Sequence, residues 1–309
     1  NRAAITNKAG LVAGALGGTT IFGTGTHGGS SHITCEGAMI SGVSGGLVAF
    51  SNSASAGNAT LIAEGGSNGG EGGLITFQNK AAGATSRVEL LGNGILDISG
   101  VTVPIMIGSL EGDGLVQLGS RKLSIGGTDQ STAFAGVIQG TGSVTKIGMG
   151  TLSLNGVNTY TGATTVNAGT LGGRGTITGP VNVDDGGFLA PAEGTSKQAT
   201  LTIQSSLTFY SGATYTYTFK AKRNKTLADE VLANGVTIRN GATLALSGQV
   251  QGVLEAGLSL SVISNTAATP ISGTFSNLPE GAIVNVGGAN LQASYHGGDG
   301  NDLTLTVVP

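Results

Sequence analysis

Apolar residues come along this chain in short runs of about 3 to 5 that alternate with polar ones, the pattern of strands with one buried face. Examples are GLITF at 73–77, RVELLGNGILDISG at 87–100, GLVQLGSRKLSIGG at 114–127, GSVTKIGMGTLSLNG at 142–156 and ATTVNAGTLGGRGTITGPVNV at 163–183. Turn formers separate the runs, among them Asn93-Gly94, Asn155-Gly156, Asn234-Gly235 and Asn240-Gly241. This predicts an all-β chain rich in turns. There is no stretch of about 18 consecutive apolar residues, so no transmembrane helix is predicted.

Short strands fit either a sandwich of hairpins or a solenoid, and the spacing of one element favours the solenoid. Gly150-Thr151-Leu152 returns at Gly169-Thr170-Leu171, 19 residues on, with relatives at Ala199-Thr200-Leu201 and Ala242-Thr243-Leu244. Repeats of about 20 residues mark coils that cannot bury a core alone and must stack. The expected fold is a right-handed parallel β-helix, a single elongated rod. At a rise of about 4.8 Å per coil and about 20 to 25 residues each, roughly 12 to 15 coils would span about 60 to 70 Å. Residues 1–50 read as a strand-rich segment, a possible cap or assembly element. Residues 51–206 read as parallel β-helix, and 207–309 as further coils with a protruding loop near 219–230.

Composition supports this picture. Of 309 residues, 57 are Gly, 8 are Phe, 5 are Tyr and none is Trp. So much Gly disfavours long helices, while the 39% hydrophobic content argues against disorder. Few large aromatics suit a narrow core of small aliphatic residues. The net charge of -3 argues against a nucleic-acid partner. A lone Cys35 allows no intramolecular disulfide. The N-terminal stretch NRAAITNKAGLVAGALGG has no long apolar segment before a cleavage site, so no signal peptide is expected within it.

GTLSLNGVNTYTGATTVNAGTL at 150–171 closely resembles the autotransporter-associated β-strand repeat, also called the passenger-associated transport repeat. Its pattern is a G-x-G-T-L strand, an N-x-Y-x-G turn, then T-x-V-x-x-G-T-L. Segments 107–127 and 131–150 are similar to the coils that precede that repeat, 53–66 resembles upstream coils, and 275–307 resembles the end of large bacterial surface proteins. The resemblance implies a parallel β-helix on a bacterial surface. The alternating segments of a C-terminal membrane β-barrel are not seen, which would make the chain an excised passenger or a protein exported by another route.

Candidate chemistry is sparse. Glycan-cleaving β-helices need clustered carboxylates. The candidates are Glu111 with Asp113, Asp184 with Asp185, and Asp229 with Glu230. The first two pairs sit beside glycines and read as turn chemistry, and the third would point to opposite strand faces. His27, His32 and Cys35 suit zinc by type but are only three, at the spacing of no closed site. GGDGNDLTL at 297–305 approximates one calcium-binding nonapeptide, yet calcium takes about 6 to 8 oxygens, and a tight turn is the simpler reading. Lys220, Lys222, Arg223 and Lys225 form the one dense basic patch, which suits anionic glycan or a solvated loop. Asn58-Ala59-Thr60 and Asn224-Lys225-Thr226 are glycosylation sequons.

No residue is therefore assigned to catalysis, a cofactor or a metal. The expected function is a non-enzymatic bacterial extracellular structural or adhesive β-solenoid. It would associate with itself end to end through apolar residues of 1–25 and the strand-like terminus at Leu305, Val307 and Val308, with surface glycans as possible partners. The alternative is a polysaccharide-binding or polysaccharide-degrading β-helix. A phage tail-fibre segment would instead predict trimers.

Overall fold

The computed structural model describes residues 2–192 and 198–309, and among these there is no helix. The chain divides into two compact units, 1–163 and 164–309.

The first unit is a parallel β-solenoid. Strand Ala4–Asn7 pairs in parallel with His32–Cys35, which pairs with Thr60–Ala63, which pairs with Arg87–Leu90. Ala4 faces His32, His32 faces Thr60 and Thr60 faces Arg87, so successive coils take 28, 28 and 27 residues. The step falls to 22 between Arg87 and Ser109, and to 20 between Thr132 and Leu152. A second parallel sheet stacks Thr19–Phe22, Leu47–Phe50, Leu74–Asn79, Ile95–Val101, Leu115–Gln117 and Val137–Gln139.

Alternation along each strand becomes columns across coils, because in-register parallel strands place like positions one above another. Ile33, Leu61, Val88 and Leu110 form one inward column, and Val48, Ile75, Leu96, Val116 and Ile138 another, all fully buried. Each such side chain contributes about 1.5 to 3 kcal/mol by leaving water. Phe22, Phe50 and Phe77 stack face to face, with centroids 4.7 and 5.0 Å apart.

The second unit begins in the same way. Strands Gly169–Gly172, Gly187–Ala190, Thr214–Lys222 and Thr243–Gln251 run parallel in one ladder. Its steps widen from 18 residues, Gly169 to Gly187, to 29, Thr214 to Thr243. The unit ends differently, with Ser259–Asn265, Asp302–Val308, Ala289–Gly297 and Ile283–Val286 pairing antiparallel in that order. Its core is aromatic, with Phe209, Tyr215, Tyr217, Phe219 and Phe275 buried in mutual contact.

The 28-residue coils are longer than the 20 to 25 expected from the Gly-Thr-Leu spacing, so there are fewer of them. Among the described residues the longest ladder of the first unit has seven strands and that of the second has four parallel ones, against roughly 12 to 15 coils expected.

Candidate functional site

Two surfaces stand out, one in each unit. In the first unit each long coil turns between sheets through a glycine pair, Gly17-Gly18, Gly45-Gly46 and Gly72-Gly73. These pairs let adjacent backbones touch. A Cβ on Gly45 would lie 2.3 Å from the carbonyl oxygen of Gly72. With no side chains at the corner, a lateral groove of about 560 Å³ opens along the coils. Leu47, Leu74, Ile95 and Leu115 line it in register, one per coil, half-buried, and Glu71 projects into it. A second depression of about 360 Å³ lies beside Leu11, Met39 and Ile40, which are 83%, 71% and 46% exposed. It is edged by the Lys8–Glu36 ion pair at 2.5 Å.

In the second unit Thr214–Lys222 outgrows its neighbour, meeting Gly187–Ala190 only at Thr214 and Tyr215. Lys225–Ala228 folds back antiparallel along that edge opposite Phe219–Lys222, through a two-residue turn at Arg223-Asn224 with Arg223 at φ 49°. The other edge is covered by Thr243–Gln251. Residues Tyr215, Tyr217, Phe219 and Ala221 point inward and are buried, so Lys220 and Lys222 point outward. The four-cation patch is divided. Arg223 Nε donates to Glu255 Oε1 at 3.1 Å, while the three lysines share one face.

The other sequence candidates are dispersed or engaged. His32 is exposed and Cys35 buried, as alternation along their strand requires. Burial pushes the Cys35 thiol up to about 11, despite a hydrogen bond from Asn7 Nδ2, so the thiolate is disfavoured. Among the described residues no three His, Cys, Asp or Glu gather as a metal site. Glu111 accepts two hydrogen bonds from Arg87, from Nε at 3.0 Å and Nη2 at 2.5 Å, and holds that guanidinium above its usual pKa. Asp113 accepts from the Gly92 amide at 2.8 Å. Asp184 and Asp185 lead into a turn with Gly186 at φ 74°. Asp229 is buried and accepts from the amides of Thr218 and Ala199 and from the Thr218 hydroxyl. Glu230 instead accepts from the hydroxyls of Ser261 at 3.0 Å and Ser264 at 2.5 Å. Residues 297–302 close the hairpin between two antiparallel strands, and Asp302 Oδ1 accepts from the Asn265 amide at 2.8 Å. Burial raises the Asp302 carboxyl. Asn58 accepts from the Thr85 hydroxyl of the next coil.

Sequence reasoning missed the 28-residue period and the groove that it builds. The signal is present, in glycine pairs followed four residues later by Phe22, Phe50 and Phe77. A search anchored on the 19-residue Gly-Thr-Leu spacing does not align them. It also missed Lys146, which is fully buried in an inward column with Ile107 and Ile125. Its Nζ donates to the carbonyls of Ile147 and Gly148 at 2.7 and 2.6 Å. Burial lowers its pKa to about 8, against the opposing pull of Asp129.

These coils define the class, a β-solenoid with a passenger-type repeat. Residues 144–172 match the passenger-associated-transport-repeat family profile. The matched stretch includes buried Lys146, Asn158 and Tyr160. Asn158 Oδ1 accepts the Ile138 amide of the preceding coil at 3.1 Å. The chain thus carries an autotransporter passenger repeat. It is also similar to the protein named Adhesin BmaC autotransporter of Brucella suis biovar 1 (strain 1330), at 36% identity over 110 residues, 28% of this chain. The match spans only 3% of that relative's length.

Proposed function

We propose that this chain is a non-enzymatic, extracellular adhesive module of a bacterial surface protein. The observation that carries the proposal is a passenger repeat at 144–172 set in a solenoid that resembles part of a protein named an adhesin. Side-chain columns at strand spacing suit the role physically, because each coil repeats a weak contact and many such contacts add. The groove of Leu47, Leu74, Ile95 and Leu115 is the first-unit surface offered for contact. The test is attachment of beads coated with the folded chain to cultured epithelial cells, beside a panel of glycans assayed for cleavage. Retention well above beads coated with urea-unfolded chain, with every glycan intact, supports the proposal. Equal retention, or cleavage of any glycan, removes it.

Self-association is a second reading, favoured by Leu11, Val12, Met39 and Ile40, which stay exposed on two successive coils. Clustered exposed apolar side chains mark contact surfaces more often than scattered ones do. Sedimentation over a concentration series is the measure. Replacing Leu11 and Met39 by Ser should abolish any concentration-dependent species, and a chain that is monomeric throughout rules the reading out.

A further inference from the structure

We propose that the outward face of the second unit's hairpin is a docking site for an anionic polysaccharide. The face is built across three strands. Lys220 and Lys222 lie on the central strand, Lys225 and Leu227 directly opposite them on the returning strand, and Gln249 and Gln251 opposite them on the other side. Cross-strand partners share a sheet face, so all six project the same way, and all six are exposed. They surround a depression of about 160 Å³ whose lining includes no carboxylate. A neighbouring depression of about 320 Å³ shares Lys220 and Gln249 with it and adds Ser247 and Thr218.

Three features give this face a ligand rather than plain solvation. First, the nearby acids are turned away. Glu255 takes Arg223, and Asp229 is buried on Thr218, so no carboxylate neutralises the three ammonium groups from within the face. Second, the lysines are fixed by the sheet rather than strung on a loop. Lys220 and Lys222 are two residues apart on one strand, about 6.6 to 6.8 Å, and Lys225 stands across from Lys222. A row of spaced cations matches a polymer that carries charges at regular intervals. Third, Gln249 and Gln251 each offer an amide donor and acceptor, the pair of functions that a sugar hydroxyl answers. Nucleic acid is the poorer fit. The face has no aromatic side chain on which a base could stack.

This inference does not depend on the adhesive reading. A chain could hold anionic glycan and fail to retain cells, or the reverse. The test uses the full chain on immobilised heparin, with single-stranded DNA as the competing polyanion. Retention at about 0.15 M salt is expected. Lys220→Gln/Lys222→Gln/Lys225→Gln should weaken binding by about tenfold or more and flatten the slope of log affinity against log salt by roughly 2 to 3. The Lys→Arg version of the same triple should restore retention, which a merely unfolded variant cannot do. A control that removes three lysines of the first unit, Lys8→Gln/Lys80→Gln/Lys122→Gln, changes the net charge equally and should leave affinity within about twofold if binding is local to the hairpin face. No retention at that salt, equal loss in the control, or DNA bound as tightly as heparin would overturn the proposal.

Discussion

The two units meet the same requirement, a filled core between stacked strands, with different side chains. The first unit fills its coils with aliphatic columns and one stack of phenylalanines, and brings its corners together through glycine pairs. The second widens its coils and fills them with tyrosine and phenylalanine. Tyr215 and Tyr217 donate their hydroxyls to the carbonyls of Val262 and Ser261 at 2.9 and 3.0 Å. Repetition lets one small set of side chains serve every coil of the first unit. Its cost is that backbones must touch at the corners. The second unit fills its core with larger side chains, and each polar end then needs its own partner.

The largest expected effect tests backbone contact. Gly45→Val places a branched side chain against the Gly72 carbonyl, which cannot yield without parting two coils. The first unit should lose about 4 kcal/mol or more of stability, read as the urea midpoint. A loss near that of an exposed substitution would mean that the corner is not a packed contact.

Lys146 gives the next effect, because it is the first unit's counterpart to the buried tyrosine hydroxyls. Its folded pKa lies at about 8 against an ordinary 10.5. Below about 8 the buried ammonium is charged and opposes folding. Between those values the unfolded chain keeps its proton while the folded chain releases it, so stability rises with pH. Relative to Lys146→Met, the parent should gain about 2 to 3 kcal/mol across that window, at about 1.4 kcal/mol per pH unit. Parallel curves for the two proteins would show that the carbonyls of Ile147 and Gly148 hold the ammonium without a burial cost. Burial raises the Tyr215 and Tyr217 hydroxyls well above their ordinary value, so the second unit should show no matching rise.

Tyr215→Phe is the mildest break. It keeps the ring and leaves the Val262 carbonyl without its donor, at a cost of about 1 to 2 kcal/mol. Thermal unfolding of the second unit should move accordingly. An unchanged midpoint would make ring packing the whole contribution of the aromatic core.

Much of this was legible in the chain. Alternating runs gave strands, glycine turns gave frequent reversals, and the 150–171 stretch carried the repeat that the 144–172 match places. Legibility failed where a signal depends on what stacks above it. Gly17, Gly45 and Gly72 read singly as turn residues, and only the 28-residue register makes them one contact surface and one groove floor. The basic patch at 220–225 was visible as composition. Its division, Arg223 to Glu255 and three lysines to one face, was not, because a hairpin turn decides which neighbours share a side.

The sequence by itself determined strands, turns and an all-β stacking fold, because alternation and backbone freedom are properties of neighbouring residues. Register, coil length and the facing of each charged side chain were decided only by the tertiary structure. Those depend on residues about 28 apart meeting across a strand gap, and no local pattern specifies which of them meet.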